Sequence, residues 1–255
     1  MVKKKILIII QARIGSLRLP GKVLKKILGK PILWHIINRL KSINNKKIVV
    51  ATSGSQKDKK IINFCKKNKV NYFAGSERNV LDRFYRAAKK FNGLNIIRIT
   101  GDCPLIDSKI IKKLINLYFL KKFDHVGVAT GAGVNKMKLN KFPDGLDAEC
   151  FKFSALEKAW LNANSNSEKE HVTPYIWKRE KKFKIGILRA KNDYSKFRWT
   201  LDNKDDFKLI KILYKNLYRK NKNFYMNDII KYFNKNPKVA YLNKKYIGKE
   251  KYKNI

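Results

Sequence analysis

The segment Gln11-Ala-Arg-Ile-Gly-Ser-Leu-Arg-Leu-Pro-Gly-Lys22 gathers three cations, Arg13, Arg18 and Lys22, and two glycines on one loop. Glycine allows backbone shapes and close approaches that other residues resist. Backbone N–H groups and cationic side chains on such a loop can hold a triphosphate. The spacing is not that of a Walker A loop, which has four residues between its glycines and Ser or Thr after the lysine. Here five residues separate Gly15 from Gly21, and Val23 follows Lys22. The dinucleotide pattern GxGxxG is missing as well, so no dinucleotide cofactor is expected. Taken alone, the loop reads equally as a solvated basic turn.

The elements that must position this loop alternate short β-branched runs with amphipathic helical stretches, the signature of an α/β fold with a mostly parallel sheet. Strands are expected at 6–10, 47–52, 70–73, 95–100 and 125–130. Helices are expected after Pro31, over 56–67, from Val80, and over 107–120 with Asp107 as N-cap. The basic loop then leaves the carboxyl end of the first strand, where open α/β sheets bind ligands. The second half is less regular. Residues 131–145 read as a long loop or hairpin. Ser154 is expected to cap a helix through Trp160, and 168–179 to form another. Strands at 184–189 and 196–200 precede closing helices at 205–217 and 227–233. One domain over 1–242 and a basic tail over 243–255 follow from this reading.

Several segments recur in order in a known family. They are the loop itself; Ala51-Thr-Ser53; Gly75-Ser-Glu-Arg-Asn-Val-Leu-Asp-Arg83; Thr100-Gly-Asp-Cys-Pro-Leu-Ile-Asp107; Phe142-Pro-Asp-Gly-Leu-Asp147; Glu170-His-Val-Thr-Pro-Tyr175; and Arg198-Trp-Thr-Leu-Asp202. Together they resemble the sugar cytidylyltransferases, including those that activate KDO and sialic-type acids, and most of all the SpsF-type branch of spore-coat polysaccharide synthesis. The resemblance implies a Rossmann-like, GT-A-like nucleotidyltransferase fold, transfer of CMP from CTP to a sugar, Mg²⁺ dependence and a homodimer.

The same resemblance distributes roles. Asp102 and Asp202, each after an expected strand, fall where the family holds Mg²⁺. Two acids suit that ion, which keeps one or two carboxylates beside phosphates and waters. The plain alternatives are a turn residue before Pro104 and a helix cap. Gln11, Ala12, Arg13, Gly15, Ser16, Lys22, Thr100 and Gly101 would surround the nucleotide. Thr52 and Ser53, after Ala51, would line the base pocket with Arg78, Asn79, Val80 and Arg83, although Asn79 also reads as an N-cap. Asp144, Asp147, Glu149, Glu170 and His171 gather in the second-half loops. Carboxylates there can accept hydrogen bonds from sugar hydroxyls, Asp147 or Glu149 can touch a metal, and His171 can act as a general base because histidine titrates near neutrality. A single helical histidine is as easily structural. The stretch from Pro143 to Glu149 holds three carboxylates and no Lys or Arg. An acidic sugar therefore needs a cation from elsewhere, such as Arg198, unless the acceptor is neutral or amino-bearing. Cys103 has no histidine near it in sequence to activate it and reads as a spacer.

Composition bounds the rest. The chain has 255 residues, 60 Lys+Arg against 19 Asp+Glu, and a net charge of +41. Such charge allows a polyanion partner, but the lysines are scattered and abundant Ile and Asn accompany them, as codon drift in an AT-rich genome would produce. A sequence-specific nucleic-acid partner is not expected. The short apolar run 6–10 reads as a strand rather than a signal-peptide core, and no stretch is long enough to span a membrane. Three dispersed cysteines with no CxxC fit a reducing compartment, so the cytoplasm is the expected location. Two rivals remain: a GT-A-like glycosyltransferase that uses a finished nucleotide sugar, and a basic nucleic-acid-binding protein, which would show clustered cations with exposed aromatics.

Overall fold

The computed structural model describes residues 5–130 and 141–247. Its strands are β1 (Ile6–Gln11), β2 (Lys26–Ile27), β3 (Lys30–Pro31), β4 (Lys46–Ser53), β5 (Asn71–Gly75), β6 (Asn95–Thr100), β7 (His125–Val128), β8 (Ala148–Lys152) and β9 (Ile185–Leu188). Its helices are α1 (Ile32–Leu40), α2 (Lys59–Lys67), α3 (Val80–Lys90), α4 (Ser108–Lys121), α5 (Phe153–Asn162), α6 (Asn166–His171), α7 (Pro174–Trp177), α8 (Lys204–Leu213), α9 (Met226–Lys235) and α10 (Pro237–Ala240). Seven strands form the central sheet in the order β5-β4-β1-β6-β8-β7-β9, and β2 and β3 make a small hairpin. All neighbours in the sheet are parallel except β8, which runs antiparallel to both β6 and β7.

β1 is apolar at every position from Ile6 to Ile10 because both of its faces are covered. Ile8 and Ile10 enter a core built with α1, α4, α8 and α9, while Leu7 and Ile9 enter a second core with α3, α5 and α7. Local chemistry sets the helix starts. Asn79 accepts from Asp82 N at 2.9 Å and Asp107 from Lys109 N at 2.7 Å, so both are N-caps.

The second half departs from expectation in five places. Residues 196–200 are not a strand; they run beside the sheet with a single bridge between Asp144 and Arg198. The helix expected over 168–179 is broken into α6 and α7 by Val172, at φ 73°, and by Pro174. Ser154 lies inside α5, whose N-cap is Lys152. β8, which sequence periodicity does not signal, follows the loop expected over 131–145, most of which lies outside the described residues. Asn243, the first residue assigned to the basic tail, is fully buried and donates to Arg198 O and Asp206.

Candidate active site

The register Gln11↔Ala51, Gln11↔Thr100 and Ser53↔Gly75 brings the carboxyl ends of β1, β4, β5 and β6 to one edge. The chain passes from β1 towards β4 and β5 on one side and returns to β6 on the other. The crevice between the loops after β1 and β6 is therefore the topological switch point, where such sheets bind ligands. Close backbone contact joins the two loops. Gly101 N donates to Gln11 O at 2.8 Å, and a Cβ at Gly101 would lie 2.8 Å from that same oxygen.

The basic loop turns on itself through Ser16 N and Gly21 N, both donating to Ile14 O, and Gly21 takes φ 66°. Asp58 anchors it. This buried carboxylate accepts from Ile14 N at 2.7 Å and from the Ser53 hydroxyl at 2.6 Å, tying the loop to the end of β4. Sequence reasoning left Asp58 as an ordinary helix residue; its only signal was an acid at the start of a helix directly after a strand-end serine.

At the floor of the crevice Lys22 Nζ donates to Asp102 Oδ2 at 2.8 Å and to Asp202 Oδ1 at 2.7 Å. Arg18, with its side chain largely exposed, reaches Asp202 Oδ2 at 3.0 Å. Asp202 arrives there because Leu201 N donates to Asp102 O at 2.8 Å. Burial alone would lower the Lys22 pKa, but Asp102 and Asp202 outweigh it and raise it. Burial likewise opposes ionisation of Asp102, and Lys22 reverses this, holding the carboxyl down at about 2. Both ion-pair partners are thus charged at neutral pH. Cys103 is buried, with burial raising its thiol pKa well above the ordinary value, so it is not a poised nucleophile.

The residues assigned to the base divide. Arg13 and Arg78 are exposed, and Val80 is core. Asn79 spends its side-chain oxygen on the α3 cap. Thr52 and Arg83 are buried, yet among the described residues Thr52 Oγ1 and Arg83 Nε and Nη2 have no hydrogen-bond partner. Burial depresses the Arg83 pKa to about 10, with Asp58 opposing the shift and Arg13 adding to it.

The acids of the second half do not form one cluster. Asp144 pairs with Arg198 at 3.1 Å, and Asp147 bonds the Thr130 hydroxyl and Gly145 N. Glu149 lies against Arg98 at 2.6 Å, His125 at 3.0 Å and the Thr173 hydroxyl at 2.7 Å. Glu170 is exposed, and His171 is half-buried among the charges of Glu170, Arg98 and Glu149. The expectation that Arg198 faces an acidic substrate is overturned. Its guanidinium is 2% exposed and enclosed by Asp144, Asp202 and Asp206.

A mostly parallel sheet flanked by helices, with a cationic loop and two converging acids at its switch point, defines an enzyme of the nucleotidyltransferase class. The family model for cytidylyltransferases matches residues 7–249, and the chain belongs to that family. An uncharacterized protein of Methanocaldococcus jannaschii is 40% identical over 94% of each chain. The spore coat polysaccharide biosynthesis protein SpsF of Bacillus subtilis is 30% identical over 92% of this chain and 96% of its own. A solved cytidylyltransferase from Leptospira borgpetersenii superposes with a TM-score of 0.84 at 34% identity, covering 93% of this chain and 97% of that one.

Proposed function

We propose that this edge carries an in-line attack by a sugar hydroxyl on the α-phosphorus of CTP. The new bond joins the sugar oxygen to phosphorus, the α–β anhydride breaks, and pyrophosphate leaves with CMP on the sugar. No covalent enzyme intermediate is required. The observation that carries the reading is the meeting of Lys22, Asp102 and Asp202 beside the Arg13–Arg18 loop, although they are distant in sequence.

Arg13, Arg18 and Lys22 stabilise charge developing on the phosphates. Nothing among the described residues demands a glycine at Gly15, since a Cβ there would meet none of them within 4 Å. An approaching phosphate supplies such a reason. Asp102 and Asp202 would hold Mg²⁺. The donor set fits that ion, because the two carboxylates already share one cation, the Lys22 ammonium. Two acids without further protein ligands are what Mg²⁺ uses when phosphates and waters complete its shell. When bound, the ion supplies charge neutralisation and polarisation of the α-phosphoryl group. The unpaired Thr52 hydroxyl and Arg83 N–H groups support a polar ligand, the base or its ribose, at the end of β4.

His171 is the base assigned to the sugar hydroxyl. Burial lowers its pKa, which keeps the imidazole neutral and able to accept the proton. The acceptor is an acidic sugar of a surface polysaccharide, in keeping with the motif resemblance and with what SpsF's name says of that protein. With Arg198 enclosed, Arg98 is the cation on this side; its Nη2 lies 3.4 Å from Gln11 Oε1 at the crevice.

A pyrophosphate-release assay with each of the four nucleoside triphosphates, Mg²⁺ and acidic, neutral and amino sugars tests the reading. Turnover is expected with CTP and an acidic sugar. Asp102→Asn and Asp202→Asn should each lower it roughly 100-fold or more with unchanged circular dichroism, since metal stabilisation is worth several kcal/mol. A preference for ATP or GTP would remove the cytidylyl assignment. Release of a nucleoside diphosphate from a nucleotide sugar would favour the glycosyltransferase rival.

A further inference from the structure

We infer that Lys22 is a placeholder for the metal: in the nucleotide-free protein its ammonium fills the seat between Asp102 and Asp202, so metal enters only when a triphosphate draws the lysine away. The inference rests on the proposed metal role of those two acids.

The geometry supports the exclusion. Lys22 Nζ makes both short contacts at once, to Asp102 Oδ2 and Asp202 Oδ1, and the residue is only 9% exposed. An ammonium and a divalent ion between the same two oxygens would repel each other at contact distance, in surroundings that screen poorly. Asp202 already answers two more cations, Arg18 and Arg198. A metal entering beside Lys22 would therefore face three positive groups around one carboxylate. Asp102 differs, since Lys22 is the one ion-pair partner found for it among the described residues. Its full charge becomes available only if the lysine moves.

Lys22 is also placed to move. It follows Gly21 at the start of the three-residue turn 22–24, so its backbone belongs to the cationic loop while its side chain reaches the opposite wall. Leaving the acids without another anion to receive it would strand a buried ammonium, which is costly. A triphosphate on the loop provides that anion. Nucleotide and metal then bind with positive coupling, and linkage makes the coupling reciprocal.

The test is Mn²⁺ binding to the full chain, read by paramagnetic resonance of free ion, with and without α,β-methylene-CTP and with no turnover. Wild type without nucleotide should bind Mn²⁺ weakly. Lys22→Met should bind it at least tenfold more tightly in the absence of nucleotide, and Lys22→Arg should not. Adding Asp102→Asn to Lys22→Met should cancel the gain. In wild type alone, the analogue should raise protein-bound Mn²⁺ beyond what the analogue binds by itself, which needs no variant to fold. Nucleotide-free wild type binding Mn²⁺ as tightly as Lys22→Met would overturn the placeholder role and leave the metal seat intact. Absence of protein-bound Mn²⁺ in every protein, with or without the analogue, would remove the seat itself and with it the proposed role of Asp102 and Asp202.

Discussion

Glu149 illustrates how a side chain changes meaning once its neighbours are known. In sequence it stands with Asp144 and Asp147 as one of three acids facing a sugar. In the fold it is the centre of a buried network with Arg98, His125 and Thr173. Burial by itself would raise its pKa, but Arg98 and then His125 bring it down from 4.5 to about 2. The folded-state value lies below the unfolded one. Its stabilisation is therefore complete above the unfolded pKa and is lost as pH falls through about 2. Glu149→Gln should cost on the order of 3 kcal/mol at pH 7, from a pKa difference of this size. Urea unfolding followed from pH 6 to pH 2 should show a shallower acid decline for the variant than for wild type. Parallel curves would mean that the carboxylate is not held by these partners.

At the scale of elements, two glycines in family motifs do different work. Gly145 takes φ 95°, and a Cβ there would lie 2.4 Å from Thr200 N and 2.5 Å from Trp199 C. Those are backbone atoms and cannot swing aside. Gly145→Ala combines strain with overpacking and should cost roughly 3 kcal/mol. In a chain of this length that lowers Tm by roughly 6–12 °C. It should also lower turnover, because the displaced segment 199–202 carries Asp202 to Asp102. Among the described residues Gly15 has open space around its Cβ position, so Gly15→Ala should leave Tm within about 2 °C, as for a surface change. The same variant should raise the KM for CTP if a phosphate packs against that residue. Equal thermal shifts in the two variants would contradict this division.

For the whole molecule, the charge of +41 poses the question of a polyanion partner. The large exposed apolar side chains among the described residues are Leu17, Leu28, Leu94, Leu120, Leu161 and Tyr241, with one aromatic ring in the set. Single strands stack on exposed aromatic platforms, and among the described residues that set offers one ring. Among the described residues no helix is long and apolar enough to cross a membrane. Nucleic-acid binding, measured by fluorescence anisotropy, should be independent of sequence. It should weaken by orders of magnitude between 50 and 200 mM salt, as counterion release requires. A tight complex with one sequence at physiological salt would revive the nucleic-acid reading.

The amino-acid sequence determined the parts whose information is local. β1 is a continuous apolar run over 6–10 because both sheet faces are covered, β4 and β6 carry shorter apolar stretches at 48–51 and 96–97, and Asn79 and Asp107 cap helices through bonds to residues two or three positions away. The cationic loop was legible for the same reason, since its glycines and cations are contiguous. Motif order pointed to Asp102 and Asp202, but which cation they share is a contact across 80 and 180 residues that no spacing reveals. Tertiary structure alone decided three further matters. β8 is an antiparallel insertion of five residues, with polar Glu149 inside it, too short and mixed for its periodicity to stand out. Asp58 became the anchor of the loop only because β1 and β4 are neighbours in the sheet. Arg198, an exposed cation by type, is enclosed because Asp144 reaches it from a distant segment while Asp202 and Asp206 fold back on it from four and eight residues further along its own stretch, and a guanidinium can be buried only where carboxylates compensate its lost hydration.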